Sequence, residues 1–172
     1  MARTTLPQGF TMKKYIIFVL HVAFVSFYAG CAKINDKILQ DSLSSQNWEI
    51  QYFNIDGTTF SNQKGALITF DSLQHRIYGN TGCNNYGANF TLIQNKISIS
   101  KKTSTRKICD EEVMEYELPF LENLEDTFEI MDFKDYSKLG ILHTIPQALQ
   151  EKKKEKILVF FTPSKVYFLT HH

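Results

Sequence analysis

The segment Tyr78-Gly79-Asn80-Thr81-Gly82-Cys83-Asn84-Asn85-Tyr86-Gly87-Ala88-Asn89-Phe90 constrains this chain more than any other. Aromatic, strand-type residues bracket a run of glycines and asparagines. Gly79, Gly82 and Gly87 can adopt positive φ without steric penalty, and Asn is the next most tolerant residue. The segment is expected to run as a strand, a tight irregular turn and a second strand folding back. Cys83 sits at the centre of that turn. Cys109, the later cysteine that could reach it, ends the polar run Lys101-Lys102-Thr103-Ser104-Thr105-Arg106-Lys107-Ile108 and opens the most convincing helical pattern. The two cysteines are read as tying the turn to the start of that helix.

A length of 172 residues, 43% of them hydrophobic, suits one compact domain. Phe (14) and Tyr (8) are abundant, which leans the composition towards strands. Three of the 19 basic residues (Arg3, Lys13, Lys14) precede Cys31 and all 18 acidic ones follow it, leaving 16 against 18 and a net of −2 beyond Cys31. That is no basic field for phosphate backbones, so nucleic acid is not an expected partner.

Met12-Lys13-Lys14 makes a more natural start than Met1. It precedes an apolar run, Tyr15 to Ala29, broken only by His21 and Ser26. A basic stretch, an apolar stretch of roughly 15 residues and small residues at its end form a secretory signal. The run is short for a membrane span of about 20 residues. Tyr28-Ala29-Gly30-Cys31 resembles the bacterial lipobox, in which Cys becomes the acylated N-terminus; Tyr28 stands where an aliphatic residue is usual. The expectation is a signal peptide over 1–30, lipidation at Cys31, a polar tether over 31–45 and one domain over 46–172. Plain cleavage after Ala29 or Gly30, releasing a soluble protein, is the alternative. Ala32 is not the Asp that retains lipoproteins in the inner membrane of enteric bacteria, so the outer membrane, facing the periplasm, is the expected location.

In the domain, Trp48, Ile50 and Tyr52 alternate with polar residues as in a half-buried strand. Asp56-Gly57 marks a turn. Ala66 to Phe70, His75 to Tyr78, Asn89 to Ile93 and Lys96 to Ser100 read as further strands. Asp110 is placed as an N-cap, with Glu111 and Glu112 in the first turn. Val113, Tyr116, Glu117, Phe120, Leu121 and Leu124 follow helical spacing, and all but Glu117 are core candidates. Pro119 predicts a kink or an early end. Phe128 to Phe133, Leu139 to Thr144, Lys156 to Phe161 and Lys165 to Thr170 read as four closing strands. Pro146 to Glu155 reads as a solvated loop or a short helical turn.

These residues resemble the META/HslJ family of bacterial envelope proteins. The resemblance rests on Trp48, the Gly79-Asn80-Thr81-Gly82-Cys83-Asn84 turn, the Thr105-Arg106-Lys107-Ile108-Cys109 segment, and Glu115, Glu117, Phe120 and Leu124 on the following helix. Pro119 and the lysine-rich 146–155 segment depart from the family pattern. The resemblance implies an α+β fold: a twisted antiparallel sheet or partly closed barrel curled around one main helix at about residues 110–125. It implies a stress-related envelope role and no catalytic activity.

For Cys83 and Cys109, an exported chain that spends one cysteine on a lipobox leaves an even pair in an oxidising compartment, which reads as a disulfide. Two free structural thiols are the alternative. Zinc needs three or four ligands, and no His stands at ligand spacing from either Cys. A nucleophilic thiol needs a base, and His75, His143, His171 and His172 form no recognisable arrangement. The glycine-rich turn lacks both the P-loop ending and the dinucleotide-binding glycine triplet. The acidic cluster Asp110, Glu111, Glu112, Glu115 and Glu117 reads as a solvated helix face rather than a cation site. Thr105, Arg106 and Lys107 read as a partner patch or as plain loop. Phe128, Phe133, Phe160, Phe161, Tyr167 and Phe168 exceed what a small core needs, and read as ordinary packing or as an apolar cleft.

The expected function is a non-enzymatic, lipid-anchored module, without metal or cofactor, that binds or stabilises another envelope component. The alternative is a pilotin-like carrier of an apolar ligand. The carrier calls for a cavity between sheet and helix, the module for a filled core with an exposed patch.

Overall fold

The structure is a computed structural model describing residues 36–45, 47–61, 66–140, 146–151 and 156–171. The signal segment and Cys31 lie outside the described residues.

Strand-forming residues with glycine and asparagine turns give nine antiparallel strands among the described residues. These are β1 (Asn47–Ile55), β2 (Thr58–Ser61), β3 (Leu67–Asp71), β4 (Arg76–Asn80), β5 (Asn85–Ile93), β6 (Lys96–Ser104), β7 (Thr127–Asp132), β8 (Ile157–Phe161) and β9 (Lys165–His171). Strands β3 to β9 follow one another as neighbours, and β1 pairs with both β3 and β9. The ring is therefore a closed eight-stranded barrel, with β2 as a short extra strand beside β1. β1 divides one edge between two partners: residues 47–49 pair with β3 and residues 52–55 with β2. Along its other edge it runs with β9 from the Trp48–His171 pair to Ile55–Lys165.

The expected twisted sheet or partly closed barrel is a fully closed one, and because the domain is mostly β the expected α+β architecture around one main helix is met only in part. Closure pairs β1 with β9, and the helices are few and short beside the strands. The alternation in β1 also differs from expectation. A register shift between Ile50 and Tyr52 lets Phe53 enter the main core with Trp48 and Ile50, while Tyr52 turns to the opposite face. One displaced residue reverses every side chain after it.

The main helix, α2 (Glu111–Asn123), buries Val113, Tyr116, Glu117, Phe120 and Leu121. It follows a shorter helix, α1 (Asp36–Ser44), in the stretch expected as tether; Leu43 of α1 is fully buried, and the Trp48 indole donates a 3.0 Å hydrogen bond to the Leu43 carbonyl. Asp110 takes the N-cap position of α2 without a side-chain cap bond; its carbonyl accepts from the amides of Val113 and Met114. The helix does not end at Pro119 but continues to Asn123, whose side-chain amide donates to the Pro119 carbonyl. β7 pairs only with residues 96–98 of β6. The C-terminal end of α2 lies beside the rest of β6, where the Lys102 amide donates to Glu125 and its ammonium to the Leu121 carbonyl.

The late aromatics are absorbed by two cores. Phe128, Phe160 and Tyr167 face the barrel interior, while Ile157, Val159, Val166 and Phe168 form a second cluster on the opposite face. That cluster packs with Phe133 and Tyr136 of α3 (Phe133–Tyr136) and with Leu149 of α4 (Gln147–Glu151). β8 and β9 are thus buried on both faces, and the aromatic surplus is packing. Leu139 and Gly140, the start of an expected strand, are not extended: Leu139 closes a 3-10 turn, and Gly140 takes a left-handed φ of 74°. Residues 141–144, the rest of that expected strand, lie outside the described residues.

Candidate functional site

The β4–β5 turn brings most of the motif residues together. Gly79 lies opposite Tyr86 in the β4–β5 pair, and a Cβ there would stand 2.2 Å from the Leu67 carbonyl oxygen and 2.4 Å from the Tyr86 ring. Only glycine lets Tyr86 lie across the strand and donate a 3.0 Å hydrogen bond to that same carbonyl. Gly82, with φ at 95°, donates its amide to the Asn80 side chain, which shapes the turn.

Asn84, next to Cys83, is the hub. Its side-chain amide donates to Glu117 Oε2 (2.7 Å) and to the Lys107 carbonyl (3.2 Å). Its side-chain oxygen accepts from Thr105 Oγ1 (2.7 Å) and from the Lys107 amide (2.8 Å). Both donors and both lone pairs of the side chain are used, which is the full capacity of an Asn. The Glu117 carboxyl, with 0% of the residue exposed, also receives the Asn84 backbone amide on Oε1 (2.9 Å) and the Thr81 hydroxyl. Three donors on one buried carboxyl are what make its burial tolerable, because a buried polar group without partners costs several kcal/mol.

The loop after β6 is fastened from two further directions. Thr105 and Asn85 exchange hydrogen bonds: the Thr105 amide donates to the Asn85 carbonyl, and the Asn85 amide to Thr105 Oγ1. Cys83 and Cys109 form a disulfide with Cα atoms 6.3 Å apart. Thr105 through Ile108 is consequently held in place yet solvent-exposed, and Ile108 is 97% exposed.

Of the expected motif residues, Gly79, Gly82, Cys83, Asn84, Thr105 and Cys109 assemble here. Trp48 and Phe120 are fully buried in the main core, away from the turn. Glu115 points to solvent. The acid of the helix that holds the turn is Glu117, two positions on. Its place on the apolar stripe between Val113 and Phe120 was the signal for it, since an acid on a buried face must have partners. Tyr116 joins from the helix side by donating to the Ile50 carbonyl (3.2 Å). Burial raises the phenol pKa of both Tyr116 and Tyr86 well above the ordinary value, with neighbouring tyrosines adding to it.

Chemically this arrangement holds shape. Among the described residues no three His, Cys, Asp or Glu side chains gather as a metal site, and the sulfurs are joined to each other. Among the described residues no histidine hydrogen-bonds to Glu117, Thr81 or Asn84.

Fold and site together define a small antiparallel barrel domain whose signature turn is bolted to a packed helix by a buried carboxyl and a disulfide. The family model of the META domain matches residues 41–139, more than half of the chain. The chain belongs to the META domain family, which is not a known enzyme family. The solved NMR structure of a protein from Burkholderia xenovorans is similar, with a TM-score of 0.53 and 14% identity over 77% of this chain and 86% of that one. A second NMR structure matches with a TM-score of 0.49 and 14% identity, over 76% and 92%. A search of curated proteins finds no match.

Proposed function

We propose that this chain is a non-enzymatic envelope lipoprotein, anchored through Cys31 in the outer membrane on its periplasmic side, whose domain binds or stabilises another envelope component. The observation that carries the reading is the contrast between a filled interior and a clamped, exposed loop. Between α2 and the barrel, the Phe53 ring lies 5.0 Å from Tyr116, 5.9 Å from Phe120 and 5.4 Å from Tyr167, and the Phe120 ring lies 5.3 Å from Tyr86. Rings at these spacings are in contact and occupy the place a carried acyl chain would need. The carrier alternative is disfavoured on that ground.

The loop from Thr105 to Ile108 offers the opposite. It presents Arg106, Lys107 and Ile108 to solvent on a backbone already ordered by Asn84 and the disulfide, so little entropy is lost on docking. The disulfide also suits an exported protein.

Two measurements test the reading. Intact mass of the membrane-extracted protein should give a chain beginning at Cys31 with added acyl mass; an unacylated chain sinks the anchor. A photo-crosslinker at position 108 should yield one discrete envelope product in cells. The same probe at Leu73, 95% exposed on the β3–β4 turn, should not. Equal products at both positions would sink the loop as the binding surface.

A further inference from the structure

The outer face of β4, β5 and β6 carries two shallow depressions that share Arg76. One, of about 730 Å³, lies between Arg76 and Lys101. The other, of about 400 Å³, runs from Arg76 past Gly87 to Thr105. Among the described residues no acidic side chain lines either one, in a chain whose residues beyond Cys31 carry a small excess of acids. Asp71, the cross-strand neighbour of Arg76, is engaged in its own turn, accepting from the amides of Leu73 and Gln74. Neither Arg76 nor Lys101 has an ion-pair partner among the described residues.

The face is also ordered. The Tyr78 hydroxyl donates to Gln74 (3.0 Å), and the Arg76 guanidinium lies 5.5 Å from the centroid of the Tyr78 ring, which is 40% exposed. At Gly87 the absent side chain leaves the floor open: a Cβ there would meet Arg76 Nη2 at 3.5 Å and Thr103 Oγ1 at 3.9 Å, ordinary contact distances. Asn85, Asn89, Ser100 and Ser104 add amide and hydroxyl groups to the lining, beside His75 and the apolar Leu92 and Ile93.

We infer that this trough is a binding site for an acidic glycan. Its carboxylates would meet Arg76 and Lys101, and its hydroxyls the Asn, Ser and Thr groups, which both donate and accept as a polyol requires. The exposed Tyr78 ring offers a flat apolar surface to the C–H face of a sugar. A nucleic acid would ask for a far stronger basic field than two unpaired cations supply. The inference deepens the envelope reading by naming a ligand class, and rests on it only for where such a ligand is met.

The test is calorimetric titration of the full chain in detergent with oligogalacturonate, a matched neutral galactan oligosaccharide and inorganic phosphate. Oligogalacturonate should bind, and the neutral oligosaccharide about tenfold more weakly or worse. Arg76→Gln and Lys101→Gln should each weaken binding about tenfold. Gly87→Val, which keeps every charge but fills the floor, should abolish it. Lys138→Gln, in the exposed pair with Asp135, should change nothing. The inference is overturned if oligogalacturonate gives no heat, if the neutral sugar binds as well, if phosphate displaces it at equal affinity, or if Arg76→Gln binds normally. Should Gly87→Val fail to fold, the two surface substitutions still decide. An acylated chain that does not bind sinks the trough alone, whereas an unacylated chain that binds sinks only the anchor.

Discussion

Glu117 of α2 grips both ends of Asn84: its Oε1 accepts the Asn84 backbone amide at 2.9 Å and its Oε2 the side-chain amide at 2.7 Å. Through this one residue the helix is bound to the β4–β5 turn, and through Asn84 to the loop ahead of Cys109. Removing the carboxyl strands the Asn84 donors and the Thr81 hydroxyl in a buried place. Glu117→Ala should lower stability by about 2–4 kcal/mol in urea unfolding, against about 0.5 kcal/mol or less for the exposed Glu115→Ala. Equal effects at the two positions would remove Glu117 from its central role.

Asn84→Asp keeps the shape but replaces two donors by acceptors, setting a second carboxyl against Glu117 and the Lys107 carbonyl. Its loss should match or exceed that of Glu117→Ala, again about 2–4 kcal/mol. A variant as stable as the parent would show that the side-chain bonds contribute nothing net.

Gly79→Ala meets a backbone carbonyl at 2.2 Å as well as the Tyr86 ring. It should destabilise by about 3 kcal/mol. Adding Tyr86→Ala should not restore stability, because the Leu67 carbonyl remains in the way. Full rescue in thermal melts would locate the whole conflict in the ring.

The Cys83–Cys109 link spans a sequence separation of 26. Replacing both cysteines by serine should cost about 3.5 kcal/mol on the chain-entropy relation. The far-ultraviolet spectrum should persist, since Asn84 and Asn85 still hold the loop at Thr105 and Lys107. Unfolding on reduction would mean that the hydrogen bonds cannot hold the loop alone.

Burial raises the phenol pKa of Tyr86, Tyr116 and Tyr167. The unfolded value is about 10. A folded pKa above it gives stability that is fully present below that pH and is lost as pH rises towards the folded value. Phenolate absorbance should therefore show these three ionising together with unfolding. Early ionisation of all the tyrosines in the folded protein would contradict their burial. The Tyr167 hydroxyl has no hydrogen-bond partner among the described residues, so Tyr167→Phe should be neutral or stabilise by up to about 1 kcal/mol.

Much of this protein is legible along the chain. The glycine-asparagine turn, the alternating strands on either side of it, the helix from Glu111 and the pairing of Cys83 with Cys109 follow from φ tolerance, periodicity and cysteine count, all of which are local. Periodicity tells which side of a segment is apolar; it does not tell what covers it. The barrel closes through Trp48 against His171, partners more than a hundred residues apart, and no local pattern specifies such a register. The same limit hid the second core outside β8 and β9, where Phe168 packs on Phe133 and Tyr136. It also hid the exchange of Tyr52 for Phe53, which a single bulge decides. Glu117 rather than Glu115 holds the turn for a tertiary reason: the helix is rotated by the packing of Tyr116 and Phe120 on the barrel, and that rotation carries Glu117 to Asn84 and leaves Glu115 in water.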